Sequence, residues 1–167
     1  MDTIVYRPIG VIHSPFKEPK GTPIQPVAAS GVRGTVELFS GYAEGLKDLD
    51  GFSHVMLIYH FHMSADFSLL VRPFLDDTPR GLFSTRAPAR PNSIGVSVVD
   101  LDGIDGATLL VRNVDIVDGT PLLDIKPYVP EFDSPEAKRI GWLEDKVGKS
   151  APARDDGRFA IKKAGLP

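Results

Sequence analysis

Four short stretches of the sequence carry side chains whose types and spacing suit chemistry. His60 and His62 stand two apart in "HFH", so in an extended strand both rings leave the same face. That is metal-ligand spacing, and a metal site would need at least a third donor. His54 shares the face but stands roughly 20 Å away along an extended strand, and His13 could join only through tertiary folding. The competing reading is one packed histidine and one that meets a ligand or the surface. No bound metal is the expectation.

The second stretch, "TRAPARPNSIG", presents Arg86 and Arg90 on a loop pinned by Pro88 and Pro91. Each proline fixes its own φ and biases the preceding residue toward extended backbone. An arginine held this way loses little entropy on meeting a carboxylate or phosphate. Equally, either arginine could brace the loop's own carbonyls. Arg72 and Arg80 lie upstream, so this segment offers a local RNA-facing patch of Arg72, Arg80 and Arg90 against Asp76 and Asp77. The third stretch, "VDGTPLLDIKPYVPEFD", begins with the turn Asp118-Gly119-Thr120-Pro121, where glycine lets backbone polar groups approach a ligand. Asp124 and Lys126 follow on one face of the next strand. A plain hairpin turn beside an ion pair explains the same residues. The fourth, "SPFKEPKGTPIQP", is another proline-braced loop and offers Lys17, Lys20 and Gln25.

The rest of the sequence restricts the chemistry. It has no cysteine, which removes thiolate metal sites, disulfides and cysteine nucleophiles and suits a cytoplasmic protein. Net charge is −3 over 167 residues, so any nucleic-acid contact must come from a local patch. No apolar run reaches the ~20 residues of a membrane helix, and the first residues lack a signal-peptide pattern. The glycines of "DLDGIDG" lead into another strand rather than a helix, so no Rossmann fingerprint is present. P-loop and Gly-x-Ser-x-Gly patterns are also missing.

The elements that must position these residues are short. Fifteen prolines and sixteen glycines, spread evenly, punctuate β-branched runs. Strands are expected over 7–13, 34–38, 53–62, 69–74, 95–101, 107–114 and 122–129. Val96, Val98 and Asp100 should face one way, and Ser97, Val99 and Leu101 the other. "LDGIDGATL" marks a hairpin. The pattern predicts a mainly β fold, a small closed antiparallel β-barrel without a Rossmann domain. A short helix is expected over 41–49. After the barrel, residues 1–133, a C-terminal helix and tail follow over 134–167. Ser134 would be the N-cap, Pro135 the first helical residue, and Ile140, Leu143 and Val147 one apolar stripe. The polar tail reads as loose, with Phe159 and Ile161 able to pin it to a partner, and no second domain or internal repeat is visible.

"GVIHSPFKEPKGTPIQP", "LDGFSHVMLIYHFH", "RGLFSTRAPARPNSIGVSVVDL" and "VDGTPLLDIKPYVPEFD", in that order, resemble the successive motifs of the TsaA-like or TrmO family. The resemblance implies a β-barrel homodimer that binds S-adenosylmethionine and methylates N6 of threonylcarbamoyladenosine beside the anticodon of tRNA. It implies cofactor contacts at Gln25, Pro26, Val27, His62, Met63, Arg86 and Val96, and at Asp118, Gly119, Thr120, Pro121 and Leu122. Ser93 and Val96 stand where the family often has Pro and Leu or Met. For a general base the residues leave His62, Asp118 and Asp124 open. Two other readings stay beside this one: a non-catalytic cofactor- or RNA-binding module, and a hydrolase with a metal on His60 and His62.

Overall fold

The computed structural model describes residues 3–161. Six strands close an antiparallel barrel: β1 (Gly10–His13), β2 (Arg33–Leu38), β3 (His54–His60), β6 (Ile94–Asp105), β7 (Thr108–Arg112) and β8 (Thr120–Pro127). Around the barrel they run β1-β2-β7-β6-β3-β8, and β8 pairs back onto β1. Two very short strands, β4 (Leu70–Val71) and β5 (Arg80–Gly81), pair with each other inside the long β3–β6 connection. The expected strand over 69–74 is therefore reduced to two residues, because prolines and aspartates follow Arg72.

Period-two patterning is obeyed on β6, where Gly95, Ser97 and Val99 are buried and Ile94 and Val96 are exposed. Inward residues from all six strands, among them Ile12, Val36, Val55, Leu57, Tyr59, Val99, Leu109, Val111 and Leu122, fill the barrel. A second apolar cluster of Val71, Leu82, Ala87, Ala89 and Phe159, with Phe74 against it, lies within the connections. The β6–β7 hairpin turns at Gly106-Ala107. The other Asp-Gly, Asp102-Gly103, falls in the strand at a register shift.

The expected short helix over 41–49 is present as 3-10 turns, Ser40–Leu46 and Leu49–Gly51. The C-terminal helix needs correction. Among the described residues the one α-helical turn, α1 (Pro130–Asp133), ends at Ser134, the expected start. Pro135 is the cause, since a residue preceding proline is biased out of helical backbone. Farther on, the helical elements among the described residues are 3-10 turns, Gly141–Leu143 and Val147–Lys149, and Gly141 takes φ +59°, a left-handed value that an α-helix does not pass through. Ile140 and Val147, expected on a packed stripe, are exposed. The tail, in contrast, is docked as far as Ile161, and the part of the expected tail over 162–167 lies outside the described residues.

Candidate functional site

Antiparallel closure decides which loops meet. β1 and β3 end, and β6 and β8 begin, at the same mouth: Ile12 pairs with Thr120, Tyr59 with Leu122 and His60 with Ile94. Connections 14–32, 61–93 and 113–119 therefore share that mouth. They carry Gln25, Pro26 and Val27; His62, Met63 and Arg86; and Asp118 and Gly119. Val96 lies near the start of β6, and the 3-10 turn Pro26–Ala28 packs against that strand. Val27 and Val96 are left 64% and 55% exposed, which is apolar surface available to a ligand.

The two loop arginines separate in role. Arg86 Nη1 donates to Gln25 Oε1 at 2.8 Å, which joins the first loop to the arginine loop. Arg90 Nη1 instead faces three carbonyls of its own loop, those of Thr85 (3.0 Å), Ala87 (3.4 Å) and Leu82 (3.5 Å), and its guanidinium lies 5.8 Å from the Phe83 ring. Arg90 thus braces the turn that presents Arg86. Arg80 is bound to Asp76 at 2.6 Å, whereas Arg72 is exposed.

His62 follows β3 and is half-buried, its Nδ1 3.3 Å from Thr120 Oγ1. The Thr120 hydroxyl donates its one proton to the Val117 carbonyl at 2.6 Å. His62 Nδ1 must then be the donor, which leaves Nε2 as a lone-pair acceptor. Burial, and the neighbouring His60, hold the His62 imidazole below its ordinary pKa, so it is neutral at physiological pH.

The two other base candidates are differently placed. Asp118 accepts from Lys17 at 2.8 Å, from the Ser14 amide at 3.1 Å and from His13 at 3.3 Å. These partners, Lys17 foremost, depress its carboxyl below the ordinary range, so Asp118 ties the first loop to the turn and makes a poor base. Asp124 stands about 13 Å along β8 from Thr120, at ~3.3 Å per residue. It pairs with Lys126 at 2.7 Å and lines a separate cavity at the other mouth with Ile9, Leu38, Tyr42 and Phe52. Among the turn residues, Thr120 is buried beneath His62 and Leu122 fills the barrel core. Gly119, at φ +76°, has open space where a side chain would be.

The histidines do not gather. His54 contacts Asp100 at 2.7 Å near the far mouth, and His13 lies between Asp118 and Glu37. Among the described residues no three His, Cys, Asp or Glu side chains converge as a metal ion would require.

One group is absent from the sequence reading. The Tyr59 hydroxyl reaches Ser97 Oγ at 3.0 Å, and Ser97 donates to Asp115 Oδ1 at 2.7 Å. Ser97 has one proton, so Tyr59 must donate to it, giving a directed chain that ends on a carboxylate. Burial, the largest influence, pushes the Asp115 carboxyl up to about 6, while Ser97 and the positive field of Arg86 pull it down. Gly95 makes this possible: a Cβ there would fall inside the Tyr59 ring and against Phe61. The legible sign was Ser97 itself, a hydroxyl on the core face of β6 that had to find a partner.

The model of the tRNA-methyltransferase O N-terminal domain matches residues 11–134. A protein of Pyrococcus abyssi named "Probable S-adenosyl-L-methionine-binding protein" is 62% identical over 156 residues, 93% of this chain and 85% of the relative. The human "tRNA (adenine(37)-N6)-methyltransferase" is 36% identical over 80% of this chain, which spans only 32% of that protein. The crystal structure of TrmO from Pseudomonas aeruginosa superposes with a TM-score of 0.70 at 40% identity, covering 84% of this chain and 63% of that one. The barrel, the three loops at its mouth and these relatives agree, and the chain belongs to the TrmO family.

Proposed function

We propose that the loop-bearing mouth binds S-adenosylmethionine and that the protein methylates N6 of threonylcarbamoyladenosine beside the anticodon of tRNA. The observation that carries this reading is the meeting, at one mouth, of the Gln25–Arg86 pair with a neutral histidine whose Nε2 is free. The donor set suits the cofactor. Arg86 uses Nη1 on Gln25, and its remaining N–H groups can pair with the methionine carboxylate. Val27, Met63 and Val96 supply apolar contact, and the backbone around Gly119 supplies an open polar edge. The relatives' names support the same cofactor.

When bound, S-adenosylmethionine supplies an electrophilic methyl group on a sulfonium. Methyl transfer is an in-line displacement, so the protein's main task is to hold two reactants in line. Arg86 and Gln25 orient one end of the cofactor, and Arg90 keeps the Arg86 turn rigid. The carbamoylated N6–H is more acidic than an ordinary exocyclic amine. His62 Nε2 takes its proton, and Thr120 fixes the tautomer that keeps Nε2 available. The exposed Arg72 meets the RNA backbone, while Arg80 and Arg90 shape the surface behind it. A homodimer and a cytoplasmic location belong to the same reading; the exposed Phe83 supports the first, and the cysteine-free composition supports the second. Among the described residues no helix is long and apolar enough to cross a membrane.

The test is incubation of the protein with isotopically labelled cofactor and tRNA carrying threonylcarbamoyladenosine, followed by mass spectrometry of the nucleosides. Labelled N6-methyl product is expected. Cofactor binding without methyl incorporation would replace the enzyme by a non-catalytic binding module.

A further inference from the structure

After β8 the chain crosses the outside of the barrel and returns to the mouth that carries the candidate site. There it is bonded to two of the three surrounding connections, 14–32 and 61–93. Asp155 donates to Thr22 O at 2.8 Å and accepts from the Gly21 amide at 2.7 Å, and Pro23 bridges to Arg154. Ile161 donates to Met63 O at 3.0 Å, the Ala65 amide donates to Phe159 O at 2.8 Å, and Ser64 bridges to Ala160. Trp142 Nε1 donates to Ser84 O at 2.8 Å, and Lys146 meets Asp76 at 2.7 Å. Arg158 donates to the carbonyls of Arg72 (3.2 Å) and Pro73 (3.1 Å).

Phe159 is the apolar centre of this docking. It is 8% exposed and packs with Val71, Leu82, Ala87 and Ala89, the side chains on either side of Arg86. Phe74 meets it edge-on at 5.2 Å. Two of the bonded positions stand next to the site and one is in it: Pro23 is two residues before Gln25, Ser84 is two before Arg86, and Met63, bonded through its backbone carbonyl, is itself a proposed cofactor contact. Long connections without regular structure carry much conformational freedom, and a site spread over several of them needs an external restraint to keep its spacing.

We propose that residues 142–161 form a clasp that sets the spacing of Gln25, Met63 and Arg86 for the cofactor, with Phe159 as its anchoring positioning residue. The proposal rests on the cofactor reading above. It assigns the segment a role in affinity rather than in barrel stability, because the inward-facing barrel residues form a separate cluster.

The experiment compares Phe159→Ala and Phe159→Leu with the wild-type full chain by calorimetric titration with S-adenosylmethionine and by amide hydrogen exchange. In Phe159→Ala the Ala65 and Thr85 amides should exchange faster while those of Val55, Leu57 and Val99 keep their protection. Cofactor affinity should fall about tenfold or more, as misplacement of reacting or binding groups does, and Phe159→Leu should recover most of it. Faster loop exchange with affinity within about twofold of wild type would overturn the clasp, as would unchanged loop exchange. If Phe159→Ala unfolds the barrel, Trp142→Phe decides, since it deletes the bond to Ser84 O while keeping an aromatic ring beneath the Arg80 guanidinium. A fall of about threefold in affinity supports the clasp, and unchanged affinity overturns it. A wild-type chain that binds no cofactor would defeat the cofactor reading, and with it the affinity role of the clasp. Loop exchange would then still report whether the segment restrains the loops.

Discussion

Replacing Asp115 by Asn should stabilise the protein at pH 8 and cost it some stability near pH 3.5, where the folded wild type holds a neutral carboxyl. Burial raises the Asp115 carboxyl from 3.8 to about 6. Below 3.8 the folded and unfolded chains both hold the proton, so ionisation of the group makes no difference. Between 3.8 and about 6 the unfolded chain releases its proton while the folded chain retains it, and stability falls as pH rises. Above about 6 the loss is complete and constant. Two pH units at ~1.4 kcal/mol each set an upper bound of about 3 kcal/mol.

Asn is uncharged throughout, and its Oδ1 can accept the Ser97 hydroxyl in place of the carboxylate. Its Nδ2 hydrogens then need partners, which offsets part of the gain, and about 1–2 kcal/mol should remain. For a domain of this size that is a rise of about 3–8 °C in Tm. Thermal melts of both proteins at half-unit intervals from pH 3.5 to 8 would show the variant below wild type at the acid end and the curves crossing within the interval. A gain that is already full at pH 3.5, or none at pH 8, would refute the assignment of a raised carboxyl. Arg86→Ala sharpens the test. It removes a cation that favours the charged form, so its melting temperature should decline more steeply than wild type over the same interval.

Other expectations concern the site more directly. His62→Gln should lower kcat for tRNA methylation by about 100-fold or more, the usual worth of a general base, with cofactor affinity within a few-fold. In the wild type the rate should stop rising with pH below the ordinary histidine value of 6.5, because burial depresses the imidazole. Thr120→Val should reduce kcat less, by releasing the tautomer, and steady-state kinetics would separate it from a binding defect. Arg86→Ala should weaken S-adenosylmethionine binding by about 1.5–3 kcal/mol, the worth of a charge-assisted hydrogen bond. Arg90→Ala should chiefly lower Tm, since its Nη1 serves carbonyls; titration and melting of the pair check both statements. Gly95→Ala should cost about 3 kcal/mol or more in urea unfolding, since Tyr59 must leave its buried bond to Ser97 to make room.

The sequence made some of this legible through periodicity and left the rest to distant pairing. Alternation on β6 put Ser97 and Val99 on one shared face because side chains on a strand can point only two ways, and closure of the barrel made that face the buried one. Closure of the barrel depends on β1 meeting β8, a pairing of residues about a hundred positions apart that no local pattern encodes. The C-terminal helix was misread because Ser134-Pro135 resembles a helix start as much as a helix end. The choice fell to the chain before it, where α1 already occupied the preceding turn. Phe159 was visible as an apolar residue in a polar tail. Its partners, Leu82 and Phe74, lie in connections whose path has no periodic signature.

The two arginines show where local reading reaches its limit. Arg86 and Arg90 stand four residues apart on one proline-pinned loop, and although Arg90 alone directly precedes a proline, neither charge nor spacing says which of them binds and which braces. What separates them is the path of the chain over 82–87, which aims the carbonyls of Leu82, Thr85 and Ala87 at Arg90 and leaves Arg86 to meet a glutamine from another loop. A cation satisfied by its own loop contributes rigidity. A cation whose partner comes from elsewhere remains dependent on the distance between the two loops. The Arg86–Gln25 contact is therefore the place where displacement of the Phe159 clasp should first be felt, and Gln25→Ala should leave Arg90's bonds unchanged while lowering cofactor affinity.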